Sequence, residues 1–337
     1  MRALLYLIIT LLFISCQTGN EKNRFLQGNA FGTSFSVIYN APIQEDVVRR
    51  GVDSVIHAFN KSVSTYDPES LISKINAGDS TVVVDDIFKE VFFMSKIVYE
   101  NTNGYFDPTV GVLRNAYGFG EEEDVAAVTQ KKLDSLMTMV GFDKVHFRED
   151  HTISKDHPMI YLDFNAIAKG YGVDRIAAFL ESLGITNYLV EIGGELYGSG
   201  LNPERNAPWS VGIEAVDSEL GDRTYTHAIP LHNAGMAASG NYRKYKVDPE
   251  SGKKFVHTIN PLTGSAEQTD VTSATVIAES CALADAYATA FMALGLEKSK
   301  LVLENLDGVQ AYLTYLDKET EEENGYATAG MKLLLAD

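Results

Sequence analysis

The sequence predicts an α+β fold: one large, mostly antiparallel sheet system with packed helices, in a single domain. Three observations carry this. Helical and strand-like hydrophobic periods mix along the chain without the regular alternation that builds a parallel α/β sheet. From Trp209 to Thr275 the pattern is mostly of strand type. No Pro/Ser-rich linker divides residues 25–337, so one domain is the simpler organisation.

The elements follow in order. Residues 31–39 alternate as a strand does. Residues 44–62 place Val48, Val52, Val55, Ile56 and Phe59 at helical spacing, and Ser64-Thr65-Tyr66-Asp67-Pro68 breaks that helix. A short helix at 70–76 starts from a Ser cap, and another at 85–101 stops at Asn101-Thr102-Asn103-Gly104. A charged loop at 121–124 precedes a helix at 129–140, a β-rich stretch to His157, and a strand at 159–163. Residues 167–183 read as a helix ended by Gly184, and 187–196 as one apolar strand. The helix at 281–294 ends at Gly295. In the tail, a strand at 308–316 pairs with one at 330–335 around an acidic turn at 317–324.

The N-terminus bears on compartment. Met1 and Arg2 precede an apolar run over 3–14, short of the about 20 residues a spanning helix needs and fitting the apolar part of a secretory signal. It ends Phe13-Ile14-Ser15-Cys16, which resembles a bacterial lipoprotein cleavage box. The expectation is a signal peptide at 1–15, a lipid-anchored tether at 16–24 acylated on Cys16, and a folded domain at 25–337 on the periplasmic face of a bacterial membrane. Cys281 then has no cysteine left to pair with, and no disulfide framework supports the fold. Stability must come from a core, which 45% apolar residues can supply. The formal net charge of −18 excludes nucleic acid as a partner. It also repels a diphosphate unless a cation intervenes.

Three segments can carry chemistry. Asp163-Phe164-Asn165-Ala166-Ile167-Ala168-Lys169-Gly170 runs from a carboxylate into a helix start of small residues. A lysine in a first turn opposes the helix dipole, so it marks either an anion held between ammonium and free amides or a solvated side chain. Asp285 and Thr289 are four apart on one helix face among alanines, where a carboxylate must be paired or bind a cation; carboxylate, hydroxyl and carbonyl oxygens suit Mg²⁺. The alternative is a salt bridge, with Lys169 as partner. Ser239-Gly240-Asn241-Tyr242-Arg243 and His257-Thr258-Ile259-Asn260-Pro261-Leu262-Thr263-Gly264 add a turn and a histidine that is either a proton acceptor or structural.

Together with Phe31-Gly32-Thr33, Ser64-Thr65-Tyr66, the run from Gly104 to Gly111 and Glu191-Ile192-Gly193-Gly194-Glu195, these segments resemble the bacterial FAD:protein FMN transferases, the ApbE family, in the same order from Phe31 to Gly295. The resemblance implies a flavin transferase domain over 25–337. Mg²⁺ would be held by Asp285, the Thr289 hydroxyl and the backbone oxygens of Ala166 and Ala288. FAD, the substrate, would lie against Phe31, Tyr66, Tyr105, Phe106, Asp107, Asp163, Lys169 and Ile259. The family's first motif usually begins with Met where this chain has Phe31. The implied reaction moves FMN onto a Ser or Thr hydroxyl of an acceptor protein, with subunits of membrane redox complexes among the expected acceptors, and releases AMP. Lys169 would stabilise the phosphoryl charge, and His257, or second Asp163, would take the hydroxyl proton. Two other readings use the same residues: a pyrophosphatase that splits FAD into FMN and AMP, and a flavin-binding lipoprotein without turnover.

Overall fold

The computed structural model describes residues 22–120, 128–215, 224–241, 245–247, 252 and 254–336. Cys16 with the rest of the expected signal, the charged loop at 121–124, and Tyr242 with Arg243 lie outside the described residues.

The described chain starts with a hairpin rather than one strand. β1 (Arg24–Ala30) and β2 (Thr33–Tyr39) pair with Ala30 opposite Thr33. Phe31 and Gly32 between them take φ of 51° and 75°, the left-handed pair that matches the twist of a two-residue hairpin. Phe31, expected inside a strand, is therefore a turn residue. α1 (Glu45–Val63) buries Val48, Val52 and Phe59. α2 (Leu71–Asn76) and α3 (Asp86–Asn101) open on Ser70 and Asp85, whose side chains accept from Ser73 N and Phe88 N. α4 (Gly111–Ala116) and α5 (Gln130–Met137) follow, then a small ribbon of β3 (Val145–Phe147) and β4 (Ile153–Lys155).

The strand expected at 159–163 does not form. Met159 lies in a turn with 64% exposure, and residues 160–163 join no sheet. A side chain stands in for the missing neighbour: Asn76 Nδ2 donates to Leu162 O and Leu162 N donates to Asn76 Oδ1, both at 2.8 Å. Asp163 N completes the pairing by donating to Pro108 O at 2.7 Å. The backbone is satisfied without a ladder.

α6 (Asn165–Ser182) comes next. The apolar run after it is two strands, β5 (Tyr188–Ile192) and β6 (Glu195–Ser199), turned by Gly193 and Gly194 at φ of 59° and 104°. Only glycine takes such a turn without strain. β7 (Trp209–Glu214) and β8 (Tyr225–Leu231) form a separate ribbon; β9 (Ala234–Gly240) joins the main sheet; β10 (Tyr245–Val247) and β11 (Lys254–Val256) form another ribbon. β12 (Val271–Ala278) leads into α7 (Cys281–Leu294). α7 ends at Gly295 as expected, with φ of 74°, and a second helix, α8 (Leu296–Leu303), starts directly after it, where Asp270 Oδ1 accepts from Leu296 N at 2.9 Å. In the tail, β13 (Gln310–Leu316) pairs with β14 (Glu323–Ala327), not with 330–335. Residues expected as that last strand form α9 (Ala329–Leu335), capped by the Thr328 hydroxyl.

Among the described residues the main sheet has eight strands in the order β1-β2-β5-β6-β9-β12-β13-β14, each neighbouring pair antiparallel. This is the expected α+β architecture. Strand alternation gives the sheet two faces. Val37, Val190, Val276 and Ala278 point to the side holding α1, α3, α6 and α7. Ile38, Leu189 and Ile277 point to the other side, against Trp209, Ile229 and Met331. A groove lined by Leu201, Pro230, Ile277 and Leu334 opens on this second face, away from the motif residues.

Candidate active site

The motif residues meet on the helical face, where α6 crosses α7. Gly170 permits the crossing. A Cβ there would fall on the Cys281 carbonyl, 2.6 Å from its carbon and 2.8 Å from Ala282 Cα. The α7 end is fastened: Asp174 Oδ1 and Oδ2 accept from Cys281 N and Ala282 N, each at 2.8 Å, and the Ser280 hydroxyl accepts from Leu283 N at 3.3 Å. Burial pushes the Asp174 carboxyl up to about 7 despite these two amides. With its first amides taken, the α7 N-terminus is a clamp and not an anion site.

The crossing sets Lys169 of α6 beside Asp285 of α7. Asp285, 4% exposed, accepts from Gly170 N at 3.0 Å through Oδ2. Lys169 Nζ lies 2.5 Å from Glu195 Oε1. Glu195 is the residue directly after the Gly193-Gly194 turn, and only 3% of its side chain is exposed. Its second oxygen, Oε2, is buried without a hydrogen-bond partner. Burial works against the Lys169 ammonium, but the charges of Glu195 and Asp285 outweigh it and hold the group above its ordinary value. Burial pushes both acids up, and Lys169 offsets only part of that. Two carboxylates and one ammonium leave one negative charge in a nearly dry place when all are ionised.

Thr289, one turn beyond Asp285, has its hydroxyl 3.4 Å from that of Ser239 at the end of β9. Two residues on, Asn241 Oδ1 accepts from the Thr258 hydroxyl at 3.0 Å. Half-buried His257 directly precedes Thr258 in the chain, one residue from this last contact. The turn itself is braced by Asn260, whose side chain accepts from Leu262 N, and by Gly264 N donating to Asn260 O. Ile259 is 6% exposed and packs with Leu113 and Tyr117, so its side chain is core. The Ala288 backbone is buried in α7 and Ala166 is half-buried in the first turn of α6.

The remaining sequence-derived residues separate into rim and scaffold. Tyr66 is 66% exposed. Its hydroxyl accepts from Arg114 Nη2 at 2.8 Å, while Arg114 Nη1 lies 2.5 Å from Asp163 Oδ2. Asp163 Oδ1 accepts from Asn165 N at 2.8 Å and caps α6. Burial opposes the Arg114 charge, yet Asp163 and Tyr66 raise it above its ordinary value. With both oxygens engaged by a cation and an amide, the Asp163 carboxylate is poorly placed to act as a base. Tyr105 is half-buried, with the Lys298 ammonium over its ring at 4.7 Å and hydrogen-bonded to its hydroxyl. Phe106 is 3% exposed in the main core. Asp107 turns inward: it accepts from Thr109 N, the Thr109 hydroxyl and Phe142 N at 2.7, 2.6 and 3.1 Å. Burial, against those three donors, pushes its carboxyl up to about 6. Phe31 packs on Phe59 at 4.5 Å between centroids and lies where a Gly172 side chain would be.

Sequence reasoning missed Arg114, Lys298 and Asp174, and it quoted Glu195 without a role. Arg114 sits three residues past Gly111 and Glu195 closes the Gly-Gly-Glu run, so the signal was proximity to a motif. Among the described residues no three His, Cys, Asp or Glu side chains gather as a metal cluster. A cation beside Asp285 would rely on neutral hard oxygens and its own waters, which suits Mg²⁺.

A crossed helix pair on an antiparallel sheet, with one ammonium and two buried carboxylates gathered at the crossing, concentrates buried charge in the way an enzyme site does and a structural core does not. The chain belongs to the ApbE family, whose model matches residues 31–313. It is 33% identical over 314 residues to the FAD:protein FMN transferase of Haemophilus influenzae, covering 90% of this chain and 88% of that protein. It is 34% identical over 300 residues to the one of Vibrio cholerae, covering 87% and 88%. Among solved structures, the flavin transferase ApbE from Vibrio cholerae superposes with a TM-score of 0.83 at 31% identity, covering 93% of this chain and 99% of that one. The apo flavinyl transferase ApbE of Pseudomonas stutzeri gives 0.82 at 26%, covering 94% and 98%.

Proposed function

We propose that this chain, a flavin transferase of the ApbE family, moves the FMN half of FAD onto a Ser or Thr hydroxyl of an acceptor protein, with Mg²⁺ bound at Asp285 and AMP released. The observation that carries this is the crossing of α6 and α7, which sets the Lys169 ammonium beside the Asp285 carboxylate under small residues. The donor set fits the ion: Asp285, the Thr289 hydroxyl and the Ala288 and Ala166 carbonyls are all hard oxygens, and the excess negative charge calls for a cation. Bound there, Mg²⁺ would neutralise the diphosphate and the departing AMP.

The chain's own residues do the rest. Lys169, held by Glu195, places a positive charge against the phosphoryl oxygens, whose charge builds in the transition state. Tyr66 and Tyr105 at the rim offer flat faces to the aromatic parts of FAD. The acceptor oxygen bonds to the FMN phosphorus, the bond from that phosphorus to the AMP phosphate oxygen breaks, and the hydroxyl proton passes to His257. Asp163, already paired with Arg114, serves in positioning the α6 start. A Cys16 lipid anchor would hold the enzyme at the periplasmic face, where subunits of membrane redox complexes present acceptor segments.

The test is intact-mass measurement of an acceptor incubated with the full chain, FAD and Mg²⁺, with AMP followed in parallel. One FMN per acceptor, lost when the acceptor hydroxyl is mutated, is the expected outcome. His257→Ala should slow transfer far more than it weakens FAD binding. Rapid AMP release without acceptor would instead make the enzyme a pyrophosphatase, and tight FAD binding with no AMP would leave a carrier. For the anchor, Cys16→Ala should move the protein out of the membrane fraction; unchanged partitioning would defeat that part.

A further inference from the structure

Among the described residues, six buried polar side-chain atoms lack a hydrogen-bond partner, and Glu195 Oε2 is the one that belongs to a carboxylate. Such an atom calls for an explanation, because leaving it unmet costs more than an ordinary hydrogen bond returns. Its partner oxygen, Oε1, is fully used by Lys169 at 2.5 Å. Protonating Glu195 does not solve the problem, since an O–H at Oε2 would need an acceptor in the same place. The backbone leaves no room for escape: Glu195 pairs with Ile192 across the glycine turn, which fixes its side chain on the face toward α6 and α7.

We propose that Glu195 is a positioning residue of the transfer site, with Oε1 holding the Lys169 ammonium and Oε2 accepting a hydrogen bond from the water shell of the divalent cation bound at Asp285. This rests on the metal reading above and extends it to the residue that holds Lys169. The chemistry favours a water between ion and carboxylate. Mg²⁺ gives up its waters reluctantly and keeps several when only one or two carboxylates bind it. Direct ligation would set a dication and an ammonium on the same carboxylate, where their repulsion is strongest. A bridging water separates them and satisfies Oε2. One carboxylate then orients both positive groups that face the diphosphate, an outer-shell role of the kind that tunes metal sites.

The experiment titrates the full-length protein with Mn²⁺, read by electron paramagnetic resonance in the absence of FAD, for wild type, Glu195→Gln, Glu195→Asp, Asp285→Asn and Lys169→Met. Glu195→Gln should weaken Mn²⁺ binding about 10- to 100-fold, Glu195→Asp by less, and Asp285→Asn should remove binding. Glu195→Gln should weaken it again in the Lys169→Met background, which shows that Oε2 acts on the ion and not only through the lysine. A merely structural defect would lower metal-free FAD affinity alongside the metal affinity; the proposal expects FAD affinity measured with chelator to stay within a few-fold. If Asp285→Asn abolishes Mn²⁺ binding while Glu195→Gln and Glu195→Asp leave it unchanged, the Glu195 inference is wrong and the metal site stands. If Asp285→Asn also leaves it unchanged, the metal reading fails and takes this inference with it.

Discussion

Replacing Gly170 by alanine tests the crossing on which the site depends. The added Cβ would sit 2.6 Å from the Cys281 carbonyl carbon and 2.8 Å from Ala282 Cα, where ordinary contact begins at 3.4 Å. The Cys281 carbonyl oxygen lies closer still, so the two helices must part by about 1 Å at that point, a gap in the range where close contacts lose much of their attraction. The opposing atoms are backbone in the first turn of α7, pinned by Asp174 and Ser280, so no side chain can swing aside. Overpacking of this kind costs about 1–3 kcal/mol. Alanine returns about 0.5–1 kcal/mol of helix preference over glycine, which leaves a net loss between about 0 and 2.5 kcal/mol. That is small against a typical stability of about 5–15 kcal/mol, so the variant stays folded. Activity should suffer far more. The same parting separates Lys169 from Asp285 and stretches the Gly170 N to Asp285 Oδ2 bond beyond its 3.0 Å, and misplacement on this scale can lower a rate about 100-fold. Urea unfolding would read the first effect, and AMP release at saturating FAD and Mg²⁺ the second. A variant with wild-type midpoint and wild-type rate would refute the close crossing, and a rate loss no larger than the unfolded fraction would refute its catalytic importance.

Asn76→Ala should destabilise by about 2–4 kcal/mol, because it leaves both the N–H and the C=O of fully buried Leu162 unpaired; urea denaturation checks it, and a loss under 0.5 kcal/mol would contradict the strand-mimic role. Arg114→Met should cost about 3 kcal/mol by stranding the buried Asp163 carboxylate and should raise the KM for FAD, whereas unchanged stability and KM would remove Arg114 from the site. Asp107 carries a pH signature: its carboxyl is raised to about 6, mainly by burial, from about 3.9 in the unfolded chain. The folded state thus holds the proton more tightly, so this stability is fully present below about pH 4 and is lost as pH rises through 6, by up to roughly 3 kcal/mol. The stability difference between wild type and Asp107→Asn, measured from pH 4 to 7, should fall with rising pH; a flat or rising difference would overturn it. FAD with Mg²⁺ should raise the thermal midpoint of wild type by more than FAD with chelator does, and Asp285→Asn should lose that extra increment, whereas an equal increment in both proteins would place the metal elsewhere.

Several parts of the fold were legible locally. Ser70 marked the helix that follows it and the Asn101-Thr102-Asn103-Gly104 turn marked the end of the helix over 85–101, while the caps that Asp85 and Thr129 supply show only in the structure. The α+β class followed from irregular alternation of periods. The elements misread are those whose local pattern permits two states. Residues 159–163 have the apolar pattern of a strand, but Asn76 takes the place of a neighbouring strand at Leu162, and Asn76 is 86 residues from Leu162. Residues 330–335 are apolar enough for either state, and the Thr328 cap decided for helix while β14 took the edge of the sheet. The glycine pair at 193–194 was quoted as a motif yet not read as a reversal, so one strand was expected where two stand.

The site divides the same way. By itself the sequence determined which residue types gather in which segments: a lysine in a first helical turn, an Asp-x-x-x-Thr face among alanines, a histidine before an Asn-Pro turn, and an acidic total that makes a cation useful to any diphosphate ligand. Those depend on composition and on periods of a few residues, which are local quantities. Only the tertiary structure decided which charges meet. Lys169 could have paired with Asp285, as its sequence allows, but the Gly193-Gly194 reversal delivers Glu195 to it and leaves Asp285 bonded to Gly170 N. Arg114 reaches Asp163 across 49 residues and pairs with one oxygen of that carboxylate, and Thr109 and Phe142 turn Asp107 inward. Pairings of this kind follow from how a sheet and two helices pack, and the strength of a buried charge depends on its nearest partner, which no hydrophobic period encodes.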